Sequence, residues 1–192
     1  MVGEDITQNL KTIESIPLSF SSTRPGLVGN LVVRGEVFIS KKEFEAINKI
    51  QKQKDLPLYA NPRNIAAGSV RQLDPKITAK RHLDFFAYDI ISGLRTQNHE
   101  QKHQILKDLG FKINKNNQYE KTIEDVFDFY EKAQKFREKL EYEIDGVVVI
   151  INNNKIFEKL GVVGKASRGA IAFKFPQNQA TTEVEGIKVQ VG

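Results

Sequence analysis

The chain contains no cysteine. That excludes disulfides, Cys-ligated zinc and a thiol nucleophile, and it fits a reducing compartment. Histidine is scarce too: His82, His99 and His103 are the only three, and none has metal-ligand spacing with a carboxylate partner. His99 and His103 fall on a predicted helix and are read as solvated surface residues. No apolar run approaches the roughly 20 residues needed to cross a bilayer, and the first residues lack a signal peptide's apolar segment. The expectation is a cytoplasmic protein without membrane contact. No repeat, low-complexity tract or Pro-rich linker forces a domain boundary.

What is present is ordinary in bulk and uneven in detail. The 192 residues are 40% hydrophobic and 28% charged, as in a soluble globular protein of one large or two small domains. The net charge is +5, yet between Ser40 and His82 ten Lys or Arg face four acids, a local excess of six. Segregated positive charge suits a polyanion such as nucleic acid or a nucleotide phosphate. A solvated helix face would look the same.

Hydrophobic spacing predicts a strand over residues 31–38. A helix follows it, opened by Ser40 and Glu43, with Phe44, Ile47 and Ile50 on one face. Pro57 and Asn61-Pro62 impose a loop, and a short helix through Ala66, Ala67 and Val70 is predicted to stop near Asp74-Pro75. Residues 83–91 read as an apolar strand. Residues 98–109 read as a helix ended by Gly110, and Thr122 with Asp125 caps another. Three β-rich segments close the chain, over 146–151, 170–175 and 181–191. This order predicts an α+β fold built on antiparallel sheet.

Four stretches carry chemistry. In Glu143-Ile144-Asp145-Gly146-Val147-Val148-Val149, two carboxylates two residues apart would share one face of a strand, suiting a divalent metal or a nucleotide. An Asp-Gly hairpin turn is the alternative. Arg34-Gly35-Glu36-Val37-Phe38 puts a glycine inside a strand, which is costly unless a ligand or another backbone comes close. Arg34 and Glu36 lie on one face of the strand, and a solvent-facing cross-strand ion pair is the alternative there. Asn61-Pro62-Arg63 through Arg71 delivers two arginines around a small-residue helix, and both helix N-termini and arginines favour phosphate. Ala170-Ile171-Ala172-Phe173-Lys174-Phe175-Pro176 places a lysine in a buried-looking strand, where it needs a carboxylate or a phosphate.

In order, these stretches and Phe85-Phe86-Ala87-Tyr88 resemble the nucleotidyltransferase motifs of NAD+-dependent DNA ligases. Residues 60–75 resemble a segment specific to that bacterial family, which argues against RNA ligases and capping enzymes. The similarity runs from Gly3-Glu4-Asp5 to Val189-Gln190-Val191-Gly192. It implies an N-terminally incomplete nucleotidyltransferase fold over 1–192, ending where an oligonucleotide-binding fold begins. The implied chemistry is nick sealing in DNA replication and repair, through lysyl-AMP and DNA-adenylate intermediates. NAD+ would be the adenylyl donor and Mg2+ or Mn2+ the metal, with zinc only in regions outside this chain.

By motif match, Glu36 would orient the ribose or hydrated metal, and Tyr88 would stack on adenine. Glu143 would serve the metal, and Lys174 would neutralise the α-phosphate. Arg63, Arg71, Arg81 and Arg137 match arginines that serve NAD+ or the nicked duplex, Arg137 on the cofactor side and the other three on the DNA side.

The pattern also breaks. The family's nucleophile lies in Lys-x-Asp-Gly; the single Asp-Gly here, 145–146, is preceded two residues earlier by Glu143. The family usually has lysine where Ile150 stands, tryptophan where Gly169 stands and proline where His82 stands. Hence the expectation of a chain inactive alone, with a separately encoded N-terminal ligase fragment as a candidate partner. The alternative is a non-catalytic DNA-binding remnant of a ligase.

Overall fold

The computed structural model of the chain describes residues 3–20, 26–164, 166–176, 181 and 183–189. A one-turn helix α1 (Thr7–Leu10) precedes strand β1 (Leu27–Phe38), helices α2 (Lys41–Gln53), α3 (Pro62–Val70) and α4 (Pro75–Ala79), and strand β2 (Asp84–Leu94). Helices α5 (His99–Asp108) and α6 (Ile123–Phe136) follow, the latter continuing into a 3-10 turn, Arg137–Lys139. Strand β3 (Gly146–Ile150), helix α7 (Asn154–Leu160), strands β4 (Val162–Val163) and β5 (Ala166–Ser167), and strand β6 (Ala170–Lys174) complete the order. The described strands form three two-stranded antiparallel sheets, β1–β2, β3–β6 and β4–β5. This is the α+β class with antiparallel sheet that the hydrophobic spacing predicts.

Local chemistry explains most boundaries. Ser40 Oγ accepts from the Glu43 amide at 3.2 Å to start α2. Thr122 and Asp125 form the reciprocal capping box of α6. Gly110 has φ +89°, the left-handed geometry that ends α5. Asp74-Pro75, by contrast, opens a helix instead of only closing one. The Asp74 carboxylate accepts from the Lys76 amide at 2.9 Å, and Pro75 occupies the first helical position of α4.

Two other expectations fail. Residues 183–189 are irregular, not a strand, and Val184, Ile187 and Val189 are exposed. With no described strand pairing them, their apolar spacing has no sheet to join; positions 182 and 190–192 lie outside the described residues. His99 is not a solvated surface residue, since its side chain is only 14% exposed. Helix α5 packs against β2, which brings His99 Nδ1 to 3.9 Å from Asp89 and its ring against His103.

One core cluster joins Ile13, Ile39, Ile47, Ile65, Ala66, Val70 and Leu83, and a second joins Ala87, Ile90 and Leu106. Beside the first, buried Asn9 donates to Thr78 Oγ1 and the Gln72 carbonyl, each at 2.8 Å, so its burial is satisfied. The turn after β3 is tied to the start of α5. The His99 amide donates to the Asn152 carbonyl at 2.7 Å, the Glu100 amide to Asn152 Oδ1 at 2.9 Å, and the Asn154 amide to the Gln97 carbonyl at 3.1 Å. These bonds hold the β3–β6 sheet to the body built on β1–β2.

Candidate active site

Gly35 has the close neighbour that a glycine inside a strand predicts. A Cβ there would lie 2.0 Å from the Phe85 ring and 2.5 Å from the Phe86 carbonyl oxygen. Next to it the β1–β2 register slips: Gly35 pairs with Ala87 and Arg34 with Asp89, leaving Tyr88 without a paired residue. Such a bulge re-aims a side chain out of the ladder. The Tyr88 hydroxyl titrates above its ordinary value, chiefly through burial; Arg34 opposes the shift, while Glu36 and Asp89 add to it. Tyr88 and Glu36 therefore share one electrostatic neighbourhood.

The ion-pair partner of Glu36 is on a helix and not on a neighbouring strand. The Glu36 carboxylate accepts from Arg63, at the start of α3, at 3.2 Å. Asn61 caps that helix by accepting from the Asn64 amide at 2.8 Å, and Pro62 takes the first position. Ile65, Ala66, Ser69 and Val70 are its buried face. The small residues there let α3 lie close against β1, which brings Arg63 over the strand.

The acidic stretch behaves differently from expectation. Strand β3 starts only at Gly146, so Glu143 and Asp145 are not strand neighbours on one face. Nor is Asp145-Gly146 a hairpin turn: Gly146 pairs with Lys174 of β6, far along the chain. Asp145 Oδ2 accepts from Lys174 Nζ at 3.0 Å. Lys174 is at the exposed end of its strand, not within a buried one. The hydrogen bond from Lys174 holds the Asp145 carboxyl below the ordinary carboxylate range; burial opposes it, and the charges of Lys174 and Arg63 reinforce it. Arg63 thus links the Glu36 side of the site to the Asp145 side.

The remaining sequence candidates are dispersed. Glu143 is exposed and outside this network. Arg71 pairs with Glu4 at 3.2 Å on a shallow groove lined by Gly3, Glu4, Ile6 and Arg71. Arg81 stacks over Tyr59, 5.6 Å from its ring centroid. Arg137 pairs with Glu138 at 3.2 Å and lies 5.4 Å over Phe175, the residue after Lys174. Asp145 is the member that motif matching did not assign; a polar residue directly before the glycine of a strand, facing a lone strand lysine, was its signal.

No group of three His, Cys, Asp or Glu able to cage a metal occurs among the described residues. The acids nearest the site, Glu36 and Asp145, are each paired with a cation. That donor set fits a hydrated Mg2+ held mainly by substrate phosphates and one carboxylate. It does not fit a protein-built metal cage.

Residues 1–178 match the NAD-dependent DNA ligase adenylation domain family. The chain belongs to that family. A DNA ligase of Koribacter versatilis is 46% identical over all of this chain and 29% of its own length. DNA ligases of Natranaerobius thermophilus and Clostridioides difficile are 47% and 43% identical, over 99% and 100% of this chain and 28% of their own lengths. The chain therefore spans less than a third of these relatives. These relatives, all named DNA ligase, are bacterial proteins. Among its described residues, no helix is long and apolar enough to cross a membrane.

The Gly169 departure from the family pattern has a local counterpart. Gly169 is buried, and a Cβ there would come within 2.4 Å of the Phe157 ring of α7. The Phe157 ring thus occupies the space that a side chain at 169 would enter. Ile150 is half-buried and pairs with Ala170; on this strand it shares a face with Val148 and Gly146, the residue paired with Lys174.

Proposed function

We propose that the chain is part of the adenylation domain, of nucleotidyltransferase fold, in a longer NAD+-dependent DNA ligase that seals nicks in duplex DNA. The observation that supports this is a chain of interactions linking five separate segments: Glu36 with Arg63 at 3.2 Å, Asp145 with Lys174 at 3.0 Å, Arg63 acting on the Asp145 carboxyl and Glu36 on the Tyr88 hydroxyl. Tyr88 offers an aromatic face for adenine, and Glu36 a carboxylate for ribose hydroxyls or a hydrated cation. Lys174 and Arg63 present positive charge to the α-phosphate, where charge develops during adenylyl transfer. Asp145 holds Lys174 in place between turnovers. Mg2+ would supply further phosphate neutralisation, with Glu143 as an outlying carboxylate for it. Arg137, beside Phe175, is proposed to serve the cofactor.

Arg71 and Arg81 lie in the basic segment and would track the nicked DNA backbone independently of sequence. Such contacts weaken steeply with salt. The residues described supply no amine in an Lys-x-Asp-Gly context, so the chain alone forms no lysyl-AMP. The lysine would come from another segment of the ligase, in the same polypeptide or separately encoded. Incubation with NAD+ and Mg2+ followed by intact mass tests this: an adenylate-sized gain on any lysine would sink it. Calorimetry with AMP tests the pocket itself.

Ile150 favours a second reading, a DNA-binding remnant without nucleotide chemistry, because an apolar side chain supplies no phosphate charge. Affinity for nicked duplex across a salt series with no AMP affinity would decide for the remnant.

A further inference from the structure

The face of the β1–β2 sheet that carries Glu36 continues into an aromatic box. Glu36 pairs directly with Phe86, and Phe38 with Asp84, so these four side chains project together. The Phe38 and Phe86 rings stack with centroids 4.6 Å apart. Tyr142 closes the box, tilted at 5.3 Å from Phe38 and edge-on at 5.2 Å from Phe86. Lys112 lies over both Phe rings, at 5.7 and 5.4 Å, and its ammonium also pairs with Asp84.

Tyr142 is held by its hydroxyl as well. It donates to Asn114 Oδ1 at 3.1 Å and accepts from Asn116 Nδ2 at 3.4 Å. Upstream, the Lys41 amide donates to the Glu141 carbonyl at 2.7 Å and Lys41 Nζ to the Glu138 carbonyl at 2.9 Å. Downstream, the Asp145 carbonyl accepts from the Phe175 amide at 2.8 Å. Residues 141–145 contain no regular hydrogen-bonded element. Their path is set by these three anchors, and Tyr142 is the one fixed to the sheet that bears Glu36.

We propose that Tyr142 is a positioning residue: by docking on the Phe38–Phe86 pair it sets the distance between Asp145, with its partner Lys174, and Glu36, with its partner Arg63. The proposal rests on the adenylation-pocket assignment above for its functional meaning, and on ring geometry alone for its physical content. Edge-on and offset aromatic contacts have directional preferences that a generic apolar side chain lacks. Small errors in such spacing are costly where groups must converge on one phosphate.

The test follows the residual dipolar couplings of residues 143–146 relative to β1 by NMR, and AMP affinity by calorimetry, in the 192-residue chain and in Tyr142→Phe, Tyr142→Leu and Tyr142→Ala. In the Leu and Ala variants the couplings of 143–146 leave their wild-type orientation while those within β1 hold. AMP affinity falls about tenfold, the scale of one lost contact-level coupling. Tyr142→Phe rescues both, because the ring makes the stack. A folded Tyr142→Leu chain with wild-type couplings at 143–146 overturns the proposal. So does the absence of ring-to-ring NOEs from Tyr142 to Phe38 and Phe86 in the wild-type chain, which needs no variant to fold. If the wild-type chain binds no AMP, the pocket assignment fails while the couplings at 143–146 still decide the role of Tyr142.

Discussion

Lys174 Nζ sits 3.0 Å from Asp145 Oδ2, although the two side chains are 67% and 70% exposed. Exposed pairs of this kind contribute about 0–1 kcal/mol to stability. A pair so placed, joining the last residue of β6 to the residue before β3, does more for geometry than for folding. The same bond lowers the Asp145 carboxyl, so its small stabilisation is complete above the unfolded carboxylate value and is lost as pH falls through the folded one.

Lys174→Met is therefore expected to leave the melting temperature nearly unchanged, with a loss below about 1 kcal/mol. AMP affinity should drop sharply and Asp145 should titrate at an ordinary carboxylate value. Thermal melts, calorimetry and NMR titration on one preparation check all three. A large fall in stability would instead make the pair structural.

A separate pH dependence comes from His99. Burial pushes its imidazole down to about 4, with His103 and Lys102 adding to the shift and Asp89 opposing it. Its buried Nε2 has no hydrogen-bond partner among the described residues. Because the unfolded chain binds this proton more readily, stability is unaffected above about 6.5 and falls as pH drops toward 4, by at most about 3 kcal/mol. His99→Phe should flatten that window in urea melts between pH 7 and 4.5. An unchanged slope would assign the loss to other groups.

Gly169 and Phe157 should be coupled. Gly169→Ala forces its Cβ into the Phe157 ring and is expected to cost about 1–3 kcal/mol, as overpacking does. Phe157→Ala alone opens a cavity and costs a similar amount or more. Gly169→Ala combined with Phe157→Ala should cost less than the two losses summed, a non-additive cycle measurable by denaturant unfolding. Strict additivity would mean that the two residues do not share the space.

Ile150→Lys restores the charge that the family usually carries there. The new side chain would leave the β3–β6 sheet on the face it shares with Gly146, four residues and about 13 Å along the strand. AMP and NAD+ affinity should rise, and the gain should shrink with added salt. Calorimetry at two salt concentrations checks this; no gain at low salt would count against a phosphate role for the position.

Much of this was legible in the residues. Capping pairs such as Thr122 with Asp125, the glycine at 110, and the spacing of Phe44 and Ile47 act over a few positions, and local chemistry is enough to specify their helices. The same holds for Gly35, whose presence inside a strand announced a close approach, and for the motif order that marked the family. Legibility stopped where partners come from distant segments. Whether Glu36 would pair across the strands or with Arg63 depends on how α3 packs against β1. That Asp145, and not Glu143, would hold Lys174 depends on β3 pairing with β6 in one register. His99 looked solvated because helical spacing does not reveal which strand a helix will cover. Residues 181–191 looked like a strand because β-rich composition carries no guarantee of a neighbour to bond with. Helix and strand preference is a property of short windows, whereas burial, ion pairing and site assembly are properties of surfaces that meet only in the folded chain.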